Sequence, residues 1–162
     1  MAKSAAKTTR ATQALDKVGL RYSLHAYDYD PDAPRIGLQA AEALGVPPGR
    51  VLKTLMAAVD GRTICLLVAS DREVSMKRVA AAFSGKAAAM LKPADAERLT
   101  GYHVGGISPL GQKRAFPTAI DSGSLGDPGT EIHVNGGGRG LQIRLTEGDL
   151  VAVLQALVMP LT

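Results

Sequence analysis

Two apolar runs, Val51 to Val59 and Thr63 to Ala69, are separated by Asp60-Gly61-Arg62, and this pairing constrains the fold more than any other feature. Asp-Gly tolerates the positive φ that a tight hairpin turn requires. The two runs are therefore expected to pair as core strands, and the remaining segments must be arranged around them.

Elsewhere helix-like and strand-like segments alternate. Ala11, Ala14, Leu15 and Val18 recur at helical spacing behind Thr8 or Thr9 as caps and ahead of Gly19, which predicts a first helix. Leu20 to Tyr27 alternates, with Arg21, Ser23, His25 and Tyr27 directed to solvent or a cleft. Leu38 to Leu44 reads as a short helix stopped by Gly45. Ser75 caps a helix over Met76 to Phe83 closed by Gly85, and Pro93 to Leu99 is another, followed by Gly101. Ala115 to Ile120, Glu131 to Val134 and Leu141 to Leu145 are expected as strands. Thr146-Glu-Gly-Asp149 resembles a capping box opening a C-terminal helix with Leu150, Val151, Leu154 and Val158 inward. Hairpins dominate, so the expected class is α+β (α/β mixed), with a largely antiparallel sheet flanked by helices and no double winding. The 162 residues suit one domain over 11–162, preceded by a basic, flexible N-terminus over 1–10.

Cys65 is the sole cysteine, which rules out an intrachain disulfide and, with no Cys/His cluster of metal-ligand spacing, gives no reason to expect a metal or other cofactor. No apolar run approaches the roughly 20 residues that span a bilayer. The basic start leads into an amphipathic stretch instead of a continuous apolar one, so a cytoplasmic protein without a membrane partner is expected. A net charge of +4 and a pI near 9.4 favour anionic partners. Aromatic residues make up only 4% of the chain, too few to stack several successive bases, so any nucleic acid would be read closely at one end or one nucleotide.

Three segments carry chemistry. Lys53 lies within an otherwise apolar strand; it could guard a sheet edge against pairing or present an ammonium at a cleft wall, where reduced solvation strengthens its hold on a phosphate or oxyanion. Gly105-Gly-Ile-Ser-Pro-Leu-Gly111 is either an ordinary connection or a loop whose missing Cβ atoms allow close approach to a carbonyl or ribose. It matches no phosphate-loop pattern. Gly136 to Gly140 reads first as a hairpin, within which Arg139 could meet phosphate. His25, His103 and His133 are scattered, and Ser108, followed by proline, does not sit in a nucleophile elbow.

Val51-Leu-Lys-Thr-Leu55, Thr100-Gly-Tyr-His-Val-Gly-Gly-Ile-Ser-Pro-Leu-Gly-Gln112 and Val134-Asn-Gly-Gly-Gly-Arg-Gly-Leu141 together resemble the YbaK/EbsC family, free-standing relatives of the editing domain of prolyl-tRNA synthetases. The resemblance covers nearly the whole chain after residue 11. It implies a mixed, partly barrel-like sheet and deacylation of mischarged tRNA, in the most similar subgroup cysteine on proline tRNA, with the substrate's own thiol as nucleophile. Alanine on proline tRNA and a non-catalytic module binding tRNA or synthetase are the alternatives. The implied partners are the aminoacylated acceptor end of tRNA and, secondarily, prolyl-tRNA synthetase. By the same resemblance Lys53 holds the terminal adenosine or its phosphate with Thr54 beside it, and Tyr27 lines the pocket. Gly105, Gly106, Ile107 and Ser108 hold the ester through main-chain groups, and Pro109 fixes the loop. Asn135, Gly138 and Gln142 stand where close bacterial relatives are associated with serine, lysine and aspartate; Asn135 and Arg139 complete the expected substrate-binding set.

Overall fold

Asp60 and Gly61 adopt φ values of 49° and 84°, the paired left-handed conformation of a two-residue hairpin turn. They join β2 (Leu52–Val59) to β3 (Arg62–Ala69), in register from Leu52 opposite Ala69 to Val59 opposite Arg62. The computed structural model describes residues 8–35 and 38–162; most of the basic N-terminal stretch lies outside them. Around the hairpin a five-stranded sheet forms in the order β4-β2-β3-β5-β8, where β4 is Ala88–Met90, β5 Thr118–Asp121 and β8 Leu157–Met159. A second sheet takes the order β1-β7-β6, from Ser23–Ala26, Leu141–Thr146 and Glu131–Asn135. The smaller sheet is antiparallel throughout, whereas β5 runs parallel to both β3 and β8. A parallel bridge between Val51 and His133 links the two sheets. The mixed α+β fold expected from the sequence is the fold observed.

The alternation within the strands determines the packing. Ile132 and Val134 of β6 and Ile143 and Leu145 of β7 turn one face onto Leu52, Leu67 and Ile120 of the larger sheet, so that each sheet buries the other's apolar side. Ala11 and Leu15 of α1 (Arg10–Val18) and Leu150 of α5 (Glu147–Leu154) close this core. Val79 and Ala82 of α3 (Met76–Ala82) cover a second apolar cluster around Ala57, Ile64 and Leu66. α2 (Gln39–Leu44) and α4 (Pro93–Thr100) end at Gly45 and Gly101, both left-handed. Among the described residues, no helix is long and apolar enough to cross a membrane.

Several boundaries differ from expectation for local reasons. The strand expected from Leu20 begins at Ser23, because Leu20 N–H donates to Leu15 O at the end of α1. The strand expected from Ala115 begins only after Pro117, which has no N–H for the ladder. Ser84, at φ 56°, closes α3 in the left-handed conformation expected of Gly85. α5 stops at Leu154 because Gln155 turns left-handed at φ 50°. The chain then forms β8, leaving Val158 exposed at the sheet edge instead of inward. Neither β4 nor β8 was legible as a strand.

Asp121 ties β5 to the C-terminus. Its buried carboxylate accepts hydrogen bonds from Leu161 N–H at 2.9 Å, Ser124 Oγ at 2.9 Å and Arg72 Nη1 at 3.2 Å. Burial alone would raise its pKa, but these donors outweigh it and hold the group below its ordinary value. A depressed carboxylate stabilises the fold fully above the ordinary carboxylate range and loses that contribution as pH falls through its folded value. Asp121→Asn is expected to cost about 2 kcal/mol at pH 7. In urea unfolding the gap to wild type should narrow below about pH 4.

Candidate active site

The site opens where β2 loses its second neighbour. β4 pairs only with Ala57–Val59, and Val51 bridges His133. Met56 O accepts from Leu91 N–H and Asp60 N–H donates to Ala87 O, so even-numbered residues of β2 direct their main-chain groups toward this edge. At Thr54, between these attachments, no strand stands opposite among the described residues, and a cavity of about 470 Å³ occupies the gap. Lys53 and Thr54 line it together with Tyr27 and Tyr29, and Leu91, with Pro93 and Ala96 of α4, adds apolar surface. The segment is thus both a local sheet edge and a cleft wall.

The glycine loop supplies the remaining wall through Val104, Gly105 and Ile107. It is held from three directions. Arg139 Nε donates to Val104 O at 3.0 Å, Asn135 Nδ2 to Gly105 O at 3.3 Å, and Val104 N–H to Glu97 Oε2 at 2.8 Å. Asn135 Oδ1 also accepts from Gly137 N–H at 2.7 Å and Gly138 N–H at 3.1 Å, so one side chain stitches both glycine segments together. Among the described residues the Gly105, Ile107 and Ser108 N–H groups reach no acceptor, and Gly105 and Ile107 border the cavity.

Not every expected residue meets there. Tyr27, Lys53, Thr54, Gly105, Ile107 and Asn135 line the cavity, whereas Gly106, Ser108, Pro109 and Arg139 do not. Ser108 is fully buried, its Oγ accepting from Leu110 N–H at 3.2 Å and its carbonyl accepting from Gln112 Nε2 at 2.9 Å. Gly106 backs onto the other glycine segment: a Cβ there would lie 2.9 Å from Arg139 N and 2.9 Å from Gly138 C. The close approach is therefore between two stretches of main chain. Arg139 lies outside the cavity, its guanidinium 5.7 Å from the Tyr29 ring centre.

The cavity holds polar atoms in search of partners. Thr54 Oγ1 and Gln142 Oε1 are buried without a hydrogen-bond partner and both residues line it, an arrangement that favours a polar ligand. Burial, followed by the neighbouring Tyr29, raises the pKa of Tyr27 against an opposing hydrogen bond with Gln142, so its hydroxyl stays protonated at neutral pH. Among the described residues no histidine or carboxylate lines the cavity. His25 and His133 pack edge to face with ring centres 5.5 Å apart, and His103 sits beside Glu97. Cys65 lies beneath the site, its thiol pushed up to about 12 by burial, so iodoacetamide at neutral pH should leave the folded protein unmodified.

A sequence profile described as the aminoacyl-tRNA editing domain matches residues 30–152. The chain belongs to that family. The editing domain is 35% identical over 115 residues to EbsC of Enterococcus faecalis, a candidate Cys-tRNA(Pro)/Cys-tRNA(Cys) deacylase, covering 70% of this chain and 68% of that one. It is 31% identical over 88 residues to the proline–tRNA ligase of Acidithiobacillus ferrooxidans, covering 54% of this chain and 15% of the ligase. The crystal structure of a candidate trans-editing enzyme for prolyl-tRNA synthetase superposes with a TM-score of 0.82 at 25% identity, covering 100% of this chain and 98% of the other. The resemblance to the YbaK/EbsC family therefore holds, and with it the activity of an aminoacyl-tRNA deacylase acting on an ester bond. Among the cavity residues that escaped the sequence-based set, Tyr29 and Gln142 bear most on its chemistry. Tyr29 sits in a loop whose prolines and aspartates masked it, although it continues the odd-numbered series of Tyr27. Gln142 stood out only as a departure from the family pattern, yet its unpaired Oε1 borders the cavity.

Proposed function

We propose that the chain removes cysteine from mischarged proline tRNA, with the substrate's sulfur as nucleophile. The observation that carries this reading is a largely apolar cavity with a few polar groups on its wall and, among the described residues, no protein nucleophile poised beside a base. Ser70 lines the cavity but its Oγ is committed to Pro48 O at 2.8 Å, and among the described residues no histidine or carboxylate lines the cavity to activate Thr54. A β-thiol needs no such help. Its thiolate attacks the ester carbonyl, a carbon–sulfur bond forms, the bond to the ribose oxygen breaks and that oxygen takes a proton; water then opens the resulting thiolactone to free cysteine. Intramolecular attack in an enforced geometry is worth an effective concentration on the order of 10⁵ M.

In this reading Lys53 neutralises charge at the terminal nucleotide or developing oxyanion, while the free N–H groups of Gly105 and Ile107 face the ester. Such editing has a physical purpose, since a pocket built for proline rejects similarly sized cysteine by only about 1–3 kcal/mol. The name of EbsC supports cysteine as the amino acid, and the likeness to a trans-editing enzyme for prolyl-tRNA synthetase supports the proline system. Cysteinyl-, alanyl- and prolyl-tRNA(Pro) assayed side by side test it: cysteinyl-tRNA should be deacylated fastest and prolyl-tRNA spared. Faster release of alanine would reassign the specificity. Ser108→Ala should retain most turnover, because its hydroxyl is committed to Leu110 within the loop; a covalent adduct trapped on Ser108 would refute its assignment.

A further inference from the structure

A second hollow, of about 200 Å³, lies behind the glycine loop and is lined by Gly101, Gly106, Gly137 and Gly138 together with His103 and Arg139. Four positions without a Cβ leave main chain as the contact surface, and the His103 and Arg139 N–H groups reach no acceptor among the described residues. Concave main chain with free N–H groups suits an anion. The surrounding charge agrees. Beside the lining residue Gly101, Arg10 Nη1 lies 2.9 Å from the position a Cβ would take and Lys113 Cγ is equally close; Lys113 Nζ donates to Arg98 O at 3.4 Å, an exposed bond that a phosphate can replace. Among the described residues neither Arg10, Lys113 nor Arg139 has a carboxylate within ion-pair distance. The nearby acids are engaged: Glu97 by His103 and Val104 N–H, and Asp95 by Arg98.

We infer that this hollow binds a phosphodiester of the single-stranded acceptor end, immediately upstream of the nucleotide in the first cavity. The inference rests on the proposed tRNA substrate. Its geometric basis is the shared wall: Gly105 faces the first cavity and Gly106 the second, so a strand whose terminal nucleoside fills one passes its backbone over the loop into the other. A bare aminoacyl-adenosine would leave the hollow empty. The chain then distinguishes a polynucleotide end from a free nucleoside ester through cations that take no part in the chemistry.

Arg139 also braces the loop through Val104, so Arg10 and Lys113 are the cleaner probes. The test is titration of wild type and the Arg10→Gln/Lys113→Gln double variant with CCA trinucleotide and with adenosine, followed by NMR amide shifts. Wild type should bind the trinucleotide at least roughly tenfold more tightly than adenosine, with shifts at Gly137 to Arg139. The double variant should lose most of that gain, show a salt dependence shallower by about one logarithmic unit per decade or slightly more, and bind adenosine as wild type does. Equal affinity of wild type for the two ligands, or undiminished trinucleotide binding by the variant, would overturn the subsite. Turnover of cysteinyl-tRNA(Pro) is measured separately: its absence with cation-dependent trinucleotide binding intact would sink the cysteine reading and leave the subsite standing.

Discussion

Lys53→Ala is expected to lower kcat/KM for cysteinyl-tRNA(Pro) by about 10²-fold, the usual magnitude for losing one charge-stabilising donor at a reacting centre. Lys53 stands on the one stretch of β2 that faces a cavity on its free edge, opposite Val68 of β3. It is only partly buried, so truncation opens no core void and the unfolding midpoint should stay close to wild type. Lys53→Arg separates charge from shape: a guanidinium restores charge but not the compact ammonium, and partial recovery is expected. Wild-type turnover in Lys53→Ala would remove this residue from the mechanism.

Gly106→Ala should be nearly as damaging for a different reason. The added methyl group would meet the Gly138 and Arg139 main chain, and main chain cannot swing aside as a flexible side chain can. The loop must move away from the Gly136–Gly140 turn, carrying Gly105 and Ile107 off the cavity wall and straining the Asn135 hydrogen bonds that join the segments. A displacement of about 1 Å is enough to cost about 10²-fold in rate. Deacylation should therefore fall at least tenfold more than in Ser108→Ala, with a lowered unfolding midpoint. Unchanged kinetics in Gly106→Ala would mean that the loop's position is irrelevant to the reaction.

The Asp60-Gly61 hairpin and the helix caps at Thr9, Ser75 and Thr146 were legible because they depend on local rules of φ and side-chain hydrogen bonding. Lys53 was legible as an anomaly, a charge in an apolar strand. The strand β8 was not: Leu157 to Met159 continues a helical apolar pattern, and only the left-handed turn at Gln155 and pairing with β5 divert it. For the same reason the roles within the glycine loop could not be divided by sequence. Gly105, Gly106 and Ser108 are near neighbours there. In space, Gly105 borders the cavity, Gly106 seals the loop against another turn, and Ser108 is buried within its own hydrogen bonds. Such distinctions depend on contacts between segments about 30 residues apart, as between Gly105 and Asn135.

Among the described residues no histidine or carboxylate lines the cavity, so the proposed nucleophile is the substrate's own thiol, and single-turnover release of cysteine and serine from otherwise identical proline tRNA tests this directly. The two side chains are nearly the same size but differ in nucleophile. If the thiol attacks its own ester, the cysteine ester should hydrolyse at least about 10²-fold faster, and its rate should rise with pH as the thiolate forms. S-methylcysteine should behave like serine, and Cys65→Ser should leave the cysteine rate intact. Equal rates for the cysteine and serine esters would contradict the substrate-thiol mechanism and assign the attack to water.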